Sequence, residues 1–128
     1  MNKRIIIFAS VFGILAVILG AFGAHGLKEL VSAEELETWQ TAVQYHFYHT
    51  LALLFLATFS RFKSNAINAA SWFFTFGILF FSGSLYLLSV KTILNINIVS
   101  LLGPLTPVGG LLFILGWISL LVATIKNR

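Results

Sequence analysis

The stretch IIIFASVFGILAVILGAFGA, residues Ile5 to Ala24, carries no charged side chain and decides the fold. It supplies the roughly 20 consecutive apolar residues that a helix needs to cross the hydrocarbon core of a bilayer. Three further stretches of the 128-residue chain also lack Asp, Glu, Lys and Arg: Gln40 to Ser60, Ser64 to Val90 and Thr92 to Ile125. The sequence therefore predicts an all-α membrane protein, a single domain of four transmembrane helices in a compact bundle, with spans of about 5–25, 40–60, 67–90 and 104–125.

The composition excludes most soluble classes of protein. Hydrophobic residues make up 59% of the chain and charged residues 9%, against roughly 25% charged residues in soluble domains. The predicted connections are too short for a soluble catalytic domain, a nucleotide-binding loop or a nucleic-acid-reading module. The pI of about 9.8 reflects basic residues at the predicted helix ends, so we expect membrane lipids and not nucleic acid as partners. There is no cysteine, which excludes disulfides and thiol chemistry.

The N-terminal stretch has an alternative interpretation as a cleavable signal peptide. Lys3 and Arg4 precede an apolar run that ends in small residues, as in a secretory signal. However, the run of about 20 residues exceeds the usual 7–15 of a signal core, and no clean A-x-A pair follows it. We therefore favour a retained first span.

Lysine and arginine predict the orientation of the spans. With four alternating spans, six basic residues fall on one side and only Lys28 and Lys91 fall on the other. The positive-inside rule then places both termini in the cytoplasm of a multi-pass protein of the plasma membrane. The six residues are Lys3, Arg4, Arg61, Lys63, Lys126 and Arg128.

The first outer connection, Leu27 to Thr38, is acidic. Ser32 and Glu35 have the spacing of a capping box, which predicts that a helix begins there and continues into the second span. The four glutamates are typical of a solvated loop, and attraction of cations is the alternative.

Small residues recur at helical spacing in three of the predicted spans. Lipid gives apolar helices no hydrophobic reason to associate, so such stripes indicate close helix packing, within one chain or between subunits of a homo-oligomer. The stripes are Ala9, Gly13, Ala16, Gly20 and Ala24; Ala70, Gly77 and Ser84; and Gly109, Gly116 and Ala123.

Four polar stretches fall at the predicted outer ends of the spans. They are GAFGAHG at the end of span one, YHFYHT in span two, FSGSLY in span three and GPLTPVGG at the start of span four. Their common depth predicts one polar cluster in the outer part of the bilayer. The candidate ligand-binding residues in this cluster are His25, Tyr45, His49, Thr50, Ser82, Ser84, Tyr86 and Thr106.

The same stretches, in this order, resemble the bacterial membrane-protein family catalogued as domain of unknown function 423. The resemblance covers essentially the whole chain and implies four membrane spans without an established activity. His46 departs from the family pattern, in which the histidine of this helix corresponds to His49. The matching positions are Gly20 to His25, Tyr45 with His49, Phe81 to Tyr86, and Thr106 to Gly110.

The histidines permit three interpretations. His46 and His49 are three residues apart and share a helix face, with Thr50 one turn from His46 and Tyr45 one turn before His49. A structural role has His49 bonded to a neighbouring span, while Tyr45 and other aromatic residues, Tyr48 and Trp39, form an interfacial belt. Intramembrane ionisable groups also indicate a ligand or proton site. A metal bound by both histidines and His25 is the third interpretation, although no cysteine or carboxylate lies in a predicted span to complete it.

Residues at the predicted span ends have structural interpretations beside the ligand-binding one. Gly26 suits the left-handed residue that ends a helix, with His25 bonding the last carbonyls. Thr106 followed by Pro107 suits a helix N-cap and first position. Ser82, Ser84 and Tyr86 could bond to backbone carbonyls instead of a ligand.

Two functions follow from these observations. The first is binding of a small ligand or lipid headgroup from the outer leaflet, linked to transport. The second is a structural or assembly role in which the polar cluster locks the helices. We predict no enzyme, because serine-type catalysis needs a carboxylate that only the outer connection contains, and no metal or other cofactor.

Overall fold

A computed structural model describes residues 2–59, 65–97 and 99–126. Every regular element in these ranges is helical, which confirms the predicted all-α class. A 3-10 turn at Leu27–Glu29 and a π-helical segment at Ile78–Ser82 accompany the α-helices. These are α1 (Lys3–Ala24), α2 (Ala33–Ala57), α3 (Asn65–Gly77), α4 (Gly83–Ser89), α5 (Lys91–Leu94), α6 (Val99–Leu102) and α7 (Leu105–Lys126).

Three helical stretches in the described residues are long and apolar enough to cross a membrane. They are Lys3–Glu29, Asn65–Ser89 and Ser100–Lys126. Helix α2 has 25 residues, but its histidines, tyrosines and glutamines keep it out of that set. By hydropathy alone, α2 would not be counted as a span.

Helices α1 and α2 pack closely through small residues. Ala16 is 1% exposed, and a Cβ atom added to Gly20 would lie 3.4 Å from the Val43 side chain. Gly23 lies directly against the Trp39 ring, which packs where a side chain would otherwise be. The predicted stripe of α1 therefore makes a helix contact within one chain, as small residues do in lipid.

A second close contact joins α7 to α3 and the π-helical segment. Three glycines face aromatic residues of the opposite helix so closely that an added Cβ atom would clash. Ala70 and Ala123, from the same predicted stripes, are also buried. The facing pairs are Gly77 with Phe113, Gly116 with Phe74, and Gly109 with Phe81.

At one end of the bundle, Arg4 connects α1 to α3. Its guanidinium donates to Asn68 Oδ1 at 2.9 Å and to Ser71 Oγ at 2.8 Å, and lies 4.4 Å from the centre of the Trp72 ring. The start of α1 therefore lies beside the start of α3. Of the six basic residues used to predict orientation, Arg61, Lys63 and Arg128 lie outside the described residues.

The capping box predicted before span two is confirmed. The backbone N–H of Glu35 donates to Ser32 Oγ at 3.1 Å, and the backbone N–H of Ser32 donates to Glu35 Oε1 at 3.2 Å. The bond from the Ser32 backbone lowers the pKa of the Glu35 carboxyl, with help from Thr92 and Lys91. Helix α2 thus begins at Ala33, seven residues before the predicted span.

Two other predicted helix ends are wrong in detail. Gly26 has a φ of −69°, which is not left-handed, because α1 passes through His25 directly into the 3-10 turn. The His25 backbone N–H donates to the carbonyls of Ala21 and Phe22. Helix α7 begins at Leu105, so Thr106 lies inside its first turn and not at the N-cap.

Candidate functional site

Three polar residues in the second half of α2 face the inside of the bundle. His46, His49 and Thr50 are 3%, 5% and 2% exposed, whereas Phe47 and Leu51 on the opposite face are exposed. Polar side chains turned inward beside apolar side chains turned outward suit an environment in which lipid surrounds this part of the helix. Both histidines lie near the middle of α2, which begins at Ala33.

His49 is bonded through both ring nitrogens. Its Nδ1 lies 2.7 Å from the carbonyl oxygen of Tyr45, and Trp117 donates its Nε1–H to His49 Nε2 at 3.1 Å. Since Tyr45 offers a carbonyl and Trp117 an N–H, this arrangement assigns the proton to Nδ1 and the lone pair to Nε2. A neutral His49 therefore has every hydrogen-bonding group satisfied.

Aromatic rings enclose the His49 imidazole. It stacks on Phe113 with ring centres 3.6 Å apart and an interplanar angle of 8°, and Phe74 lies 5.4 Å away. Trp117 contacts it edge-on. These rings bring α3 and α7 onto α2, so His49 occupies the point where three helices meet.

His46 has a different environment. Its Nδ1 lies 2.9 Å from the Tyr86 hydroxyl, and the Phe12 ring packs edge-on at 5.9 Å. The backbone of Phe12 lies beside the imidazole. Its Nε2 is buried and has no hydrogen-bond partner in the described part of the chain. His46 thus keeps one free nitrogen inside the bundle.

The candidate hydroxyl groups mostly bond across helices. Ser82 is fully buried and donates to the Ala42 carbonyl at 2.8 Å, which joins the π-helical segment to α2. Ser84 Oγ lies 2.7 Å from Thr106 Oγ1 and 2.9 Å from the carbonyl of Phe81. These groups therefore connect helices and do not point together into one cavity.

Thr50 and His25 take no part in these cross-helix bonds. Thr50 donates to the His46 carbonyl one turn earlier in α2. His25 is exposed at the end of α1, beyond the level at which Gly23 meets Trp39. The candidate side chains therefore make separate cross-helix bonds, with His25 outside them. These bonds are His46–Tyr86, His49–Trp117, Ser84–Thr106 and Ser82 to the Ala42 carbonyl.

The sequence did not predict the hydrogen bonds that two tryptophans, Trp39 and Trp117, make inside the bundle. Trp39, expected in an interfacial belt, is 5% exposed and donates its Nε1–H to the Leu19 carbonyl at 2.9 Å. Trp117 was missed as the partner of His49. Its position near the middle of an apolar span was the available signal, because a buried indole N–H needs an acceptor.

A lateral groove of about 620 Å³ adjoins His49. Its lining is mainly apolar and aromatic, and the Tyr45 hydroxyl makes no hydrogen bond to any residue that the structure describes. The groove lies between α2 and α7, on a side of the bundle where neighbouring apolar side chains are exposed. Its lining residues are Tyr45, His49, Pro107, Gly110, Leu111, Phe113, Ile114 and Trp117.

No metal centre forms from the described residues. They contain no group of three or more His, Cys, Asp or Glu side chains placed to hold an ion. His25, the third nitrogen considered for such a site, is at the end of α1. His49 has no free nitrogen to offer.

Comparison with known proteins gives a consistent family match. The family model described as "protein of unknown function (DUF423)" matches residues 19–110. A UPF0382 membrane protein of Staphylococcus aureus is 45% identical over 124 residues, which is 97% of each chain. The UPF0382 membrane protein YwdK of Bacillus subtilis is 44% identical over 126 residues, 97% of this chain and 98% of its own. No solved structure matches this chain.

Proposed function

This chain belongs to the DUF423 family of proteins of unknown function, and from that premise we propose that it is a four-span integral membrane protein whose polar residues lock the helix bundle. Its role is then structural, as a membrane component or assembly partner, and not enzymatic. The observation that carries the proposal is the set of hydrogen bonds that α2 makes with its neighbours through His46, His49 and Ala42.

The length of α2 supports its place as the fourth span. At about 1.5 Å per residue, its 25 residues exceed the roughly 30 Å of a bilayer core. Its low hydropathy comes partly from His46, His49 and Thr50, which are buried and bonded within the protein, and polar groups are tolerated in a span under that condition. Exposed Phe47, Leu51, Leu54 and Phe55 supply an apolar outer face.

The orientation follows the basic residues. Lys3, Arg4 and Lys126 lie at the helix ends that we place in the cytoplasm of a plasma-membrane protein, and Lys28 and Lys91 lie at the opposite end. Cysteine substitution at Ser10, inside α1, and at Lys28 tests this. A membrane-impermeant maleimide should label Lys28→Cys from outside the cell and leave Ser10→Cys unlabelled.

The locking role is tested by His49→Ala. This substitution removes a buried side chain bonded to both Tyr45 and Trp117, so the thermal midpoint of the purified protein should fall clearly. Leu51→Ala on the exposed face of the same helix is the matched control and should change it little. An unchanged midpoint in His49→Ala would show that the cluster does not lock the bundle.

A second candidate function is binding of a small ligand or lipid headgroup from the outer leaflet, linked to transport. The groove beside His49, with Tyr45 in its lining, favours it. Native mass spectrometry of gently purified protein tests for a retained lipid, a metal or a second subunit. A lipid retained by the wild type and lost in Tyr45→Phe would support binding, and absence of any bound molecule would count against it.

A further inference from the structure

The two buried histidines of α2 differ in the bonding of their nitrogens. His49 uses both, whereas His46 uses Nδ1, and its Nε2 has no partner among the described residues although His46 is only 3% exposed. Buried polar atoms in native structures are nearly always bonded, so a free nitrogen calls for an explanation. We propose that His46 and Tyr86 form a proton-binding site inside the bundle, with Nε2 as the atom that takes up the proton.

The position of the free nitrogen supports a chemical role. His46 lies near the middle of α2 and packs against Phe12, which lies near the middle of α1. No side chain or backbone group of the described residues satisfies this atom, and a phenylalanine would fill similar space without an unpaired nitrogen. An ionisable group at this depth is a candidate for handling ions or protons.

The groups around the imidazole are suited to a proton and not to an ion pair. Helix α1 contributes Phe12, with its ring and backbone, and α4 contributes the Tyr86 hydroxyl. On α2 itself the next titratable group is His49, whose nitrogens are both engaged. No Asp, Glu, Lys or Arg occurs within one turn of Phe12, His46 or Tyr86 along the sequence. Tyr86 is the one titratable side chain that touches the ring among the described residues.

The uptake step is balanced as follows. When Nδ1–H donates to the Tyr86 oxygen, Nε2 carries a lone pair. Hydronium transfers a proton to Nε2, which gives an imidazolium and a water molecule. The new Nε2–H is a charged donor beside the backbone of Phe12, and the Nδ1–H bond to Tyr86 is kept. Protonation therefore turns an unpaired acceptor into a donor inside the bundle.

Release can occur on the other side of the ring. The imidazolium passes its Nδ1 proton to the Tyr86 oxygen while the Tyr86 hydroxyl gives its own proton to a water molecule. This leaves an intact phenol, a neutral His46 protonated at Nε2, and hydronium.

Nuclear magnetic resonance of the full chain in lipid nanodiscs tests the site. With ¹⁵N-labelled histidine only His25, His46 and His49 report, and His25→Gln and His49→Gln assign them. On lowering the pH from about 8 to about 4, the His46 spectrum should change from one bare and one protonated nitrogen to two protonated nitrogens while circular dichroism shows a folded helix bundle. A His46 that stays neutral until the bundle unfolds would overturn the proposal.

Two variants separate proton binding from a purely structural bond. Under the same pH change, folded His46→Phe should take up one proton fewer than the wild type, and Tyr86→Phe should alter the His46 Nδ1 signal without altering His49. Tyr48→Phe, at a tyrosine that is 55% exposed, should alter neither. Equal proton uptake by wild type and His46→Phe would overturn the site. Should His46→Phe fail to fold, the wild-type titration decides alone.

Discussion

The bundle contains two kinds of helix contact that achieve specificity by opposite means. Within the α1–α2 pair, and between α7 and α3 with its π-helical extension, glycines and alanines let rings and backbone approach closely. Between these two pairs, α2 meets its neighbours through hydrogen bonds, such as those of His49 and Ser82. Adding atoms to the small residues destabilises the close contacts, whereas removing a donor or acceptor destabilises the hydrogen-bonded contacts.

The comparison also shows why α2 carries the polar residues. Close packing of small residues brings helices together in lipid, but van der Waals contacts between apolar helices have no fixed donor–acceptor geometry. A hydrogen bond between fixed donors and acceptors has one geometry, and an unpaired buried group is costly. The polar contacts of α2 therefore fix the register of two pairs that close packing holds together.

The largest effect should come from adding one carbon to a close contact. In Gly109→Ala the new Cβ would meet the backbone of Phe81, which cannot move aside as a flexible side chain can. Overpacking of this kind costs about 1–3 kcal/mol, so thermal unfolding in detergent should occur at a clearly lower temperature. Gly83→Ala is the control because its Cβ meets nothing within 4 Å. Equal midpoints for both variants would contradict the close contact.

A smaller loss is expected from removing the indole donor. Trp117→Phe leaves His49 Nε2 as a buried acceptor without its donor, which should cost about 1 kcal/mol. A double-mutant cycle with His49→Phe isolates the bond, because the Trp117 substitution should cost less once the imidazole is gone. Additive losses in the cycle would show that the two side chains do not interact.

A still smaller loss should follow removal of the Tyr86 hydroxyl. Cross-helix hydrogen bonds in membrane proteins average about 0.6 kcal/mol, and Tyr86→Phe retains the ring contact with Trp39. The unfolding midpoint should shift slightly downward from that of the wild type, while Tyr48→Phe should not shift it. A shift as large as that of Gly109→Ala would mean that the polar contact also carries close packing.

The smallest expected effect is a change of thermal stability with pH. It comes from the helix cap at Ser32 and Glu35, which belongs to neither kind of helix contact. Because the pKa of Glu35 is lowered in the folded state from 4.5, its stabilising bond to Ser32 is present above that value and is lost as the pH falls through the folded-state pKa. The difference in thermal midpoint between wild type and Glu35→Gln should therefore shrink on acidification. Glu37→Gln should show no such change, and a parallel response of both variants would exclude the capping carboxylate as the cause.

The sequence predicted best the features that depend on single segments. Uncharged runs predicted the long helices, and the spacing of Ser32 and Glu35 predicted the start of α2, because capping is local. Helical spacing also predicted the small-residue stripes that form the close contacts. Each of these signals lies in one continuous stretch of chain.

Partner choice depends on the packed bundle and was not predictable from one segment. The sequence singled out His49 as the better candidate for ligand binding, yet only the approach of Trp117 from α7 shows that its Nε2 is occupied. Likewise, nothing near His46 in the sequence indicates Tyr86, which lies 40 residues away. The ligand-binding set from His25 to Thr106 stays a prediction, and the structure shows which of its members are bonded to each other.

The π-helical segment Ile78–Ser82 allows one helical stretch, α3 to α4, to contact two different helices. Before it, Phe74 and Gly77 face α7; after it, Tyr86 faces α2. A residue inserted into an α-helix turns everything beyond it by about 100° around the helix axis. The wide turn thus rotates the second half of this helical stretch relative to its first half, so that one continuous helix presents surfaces aimed in two directions.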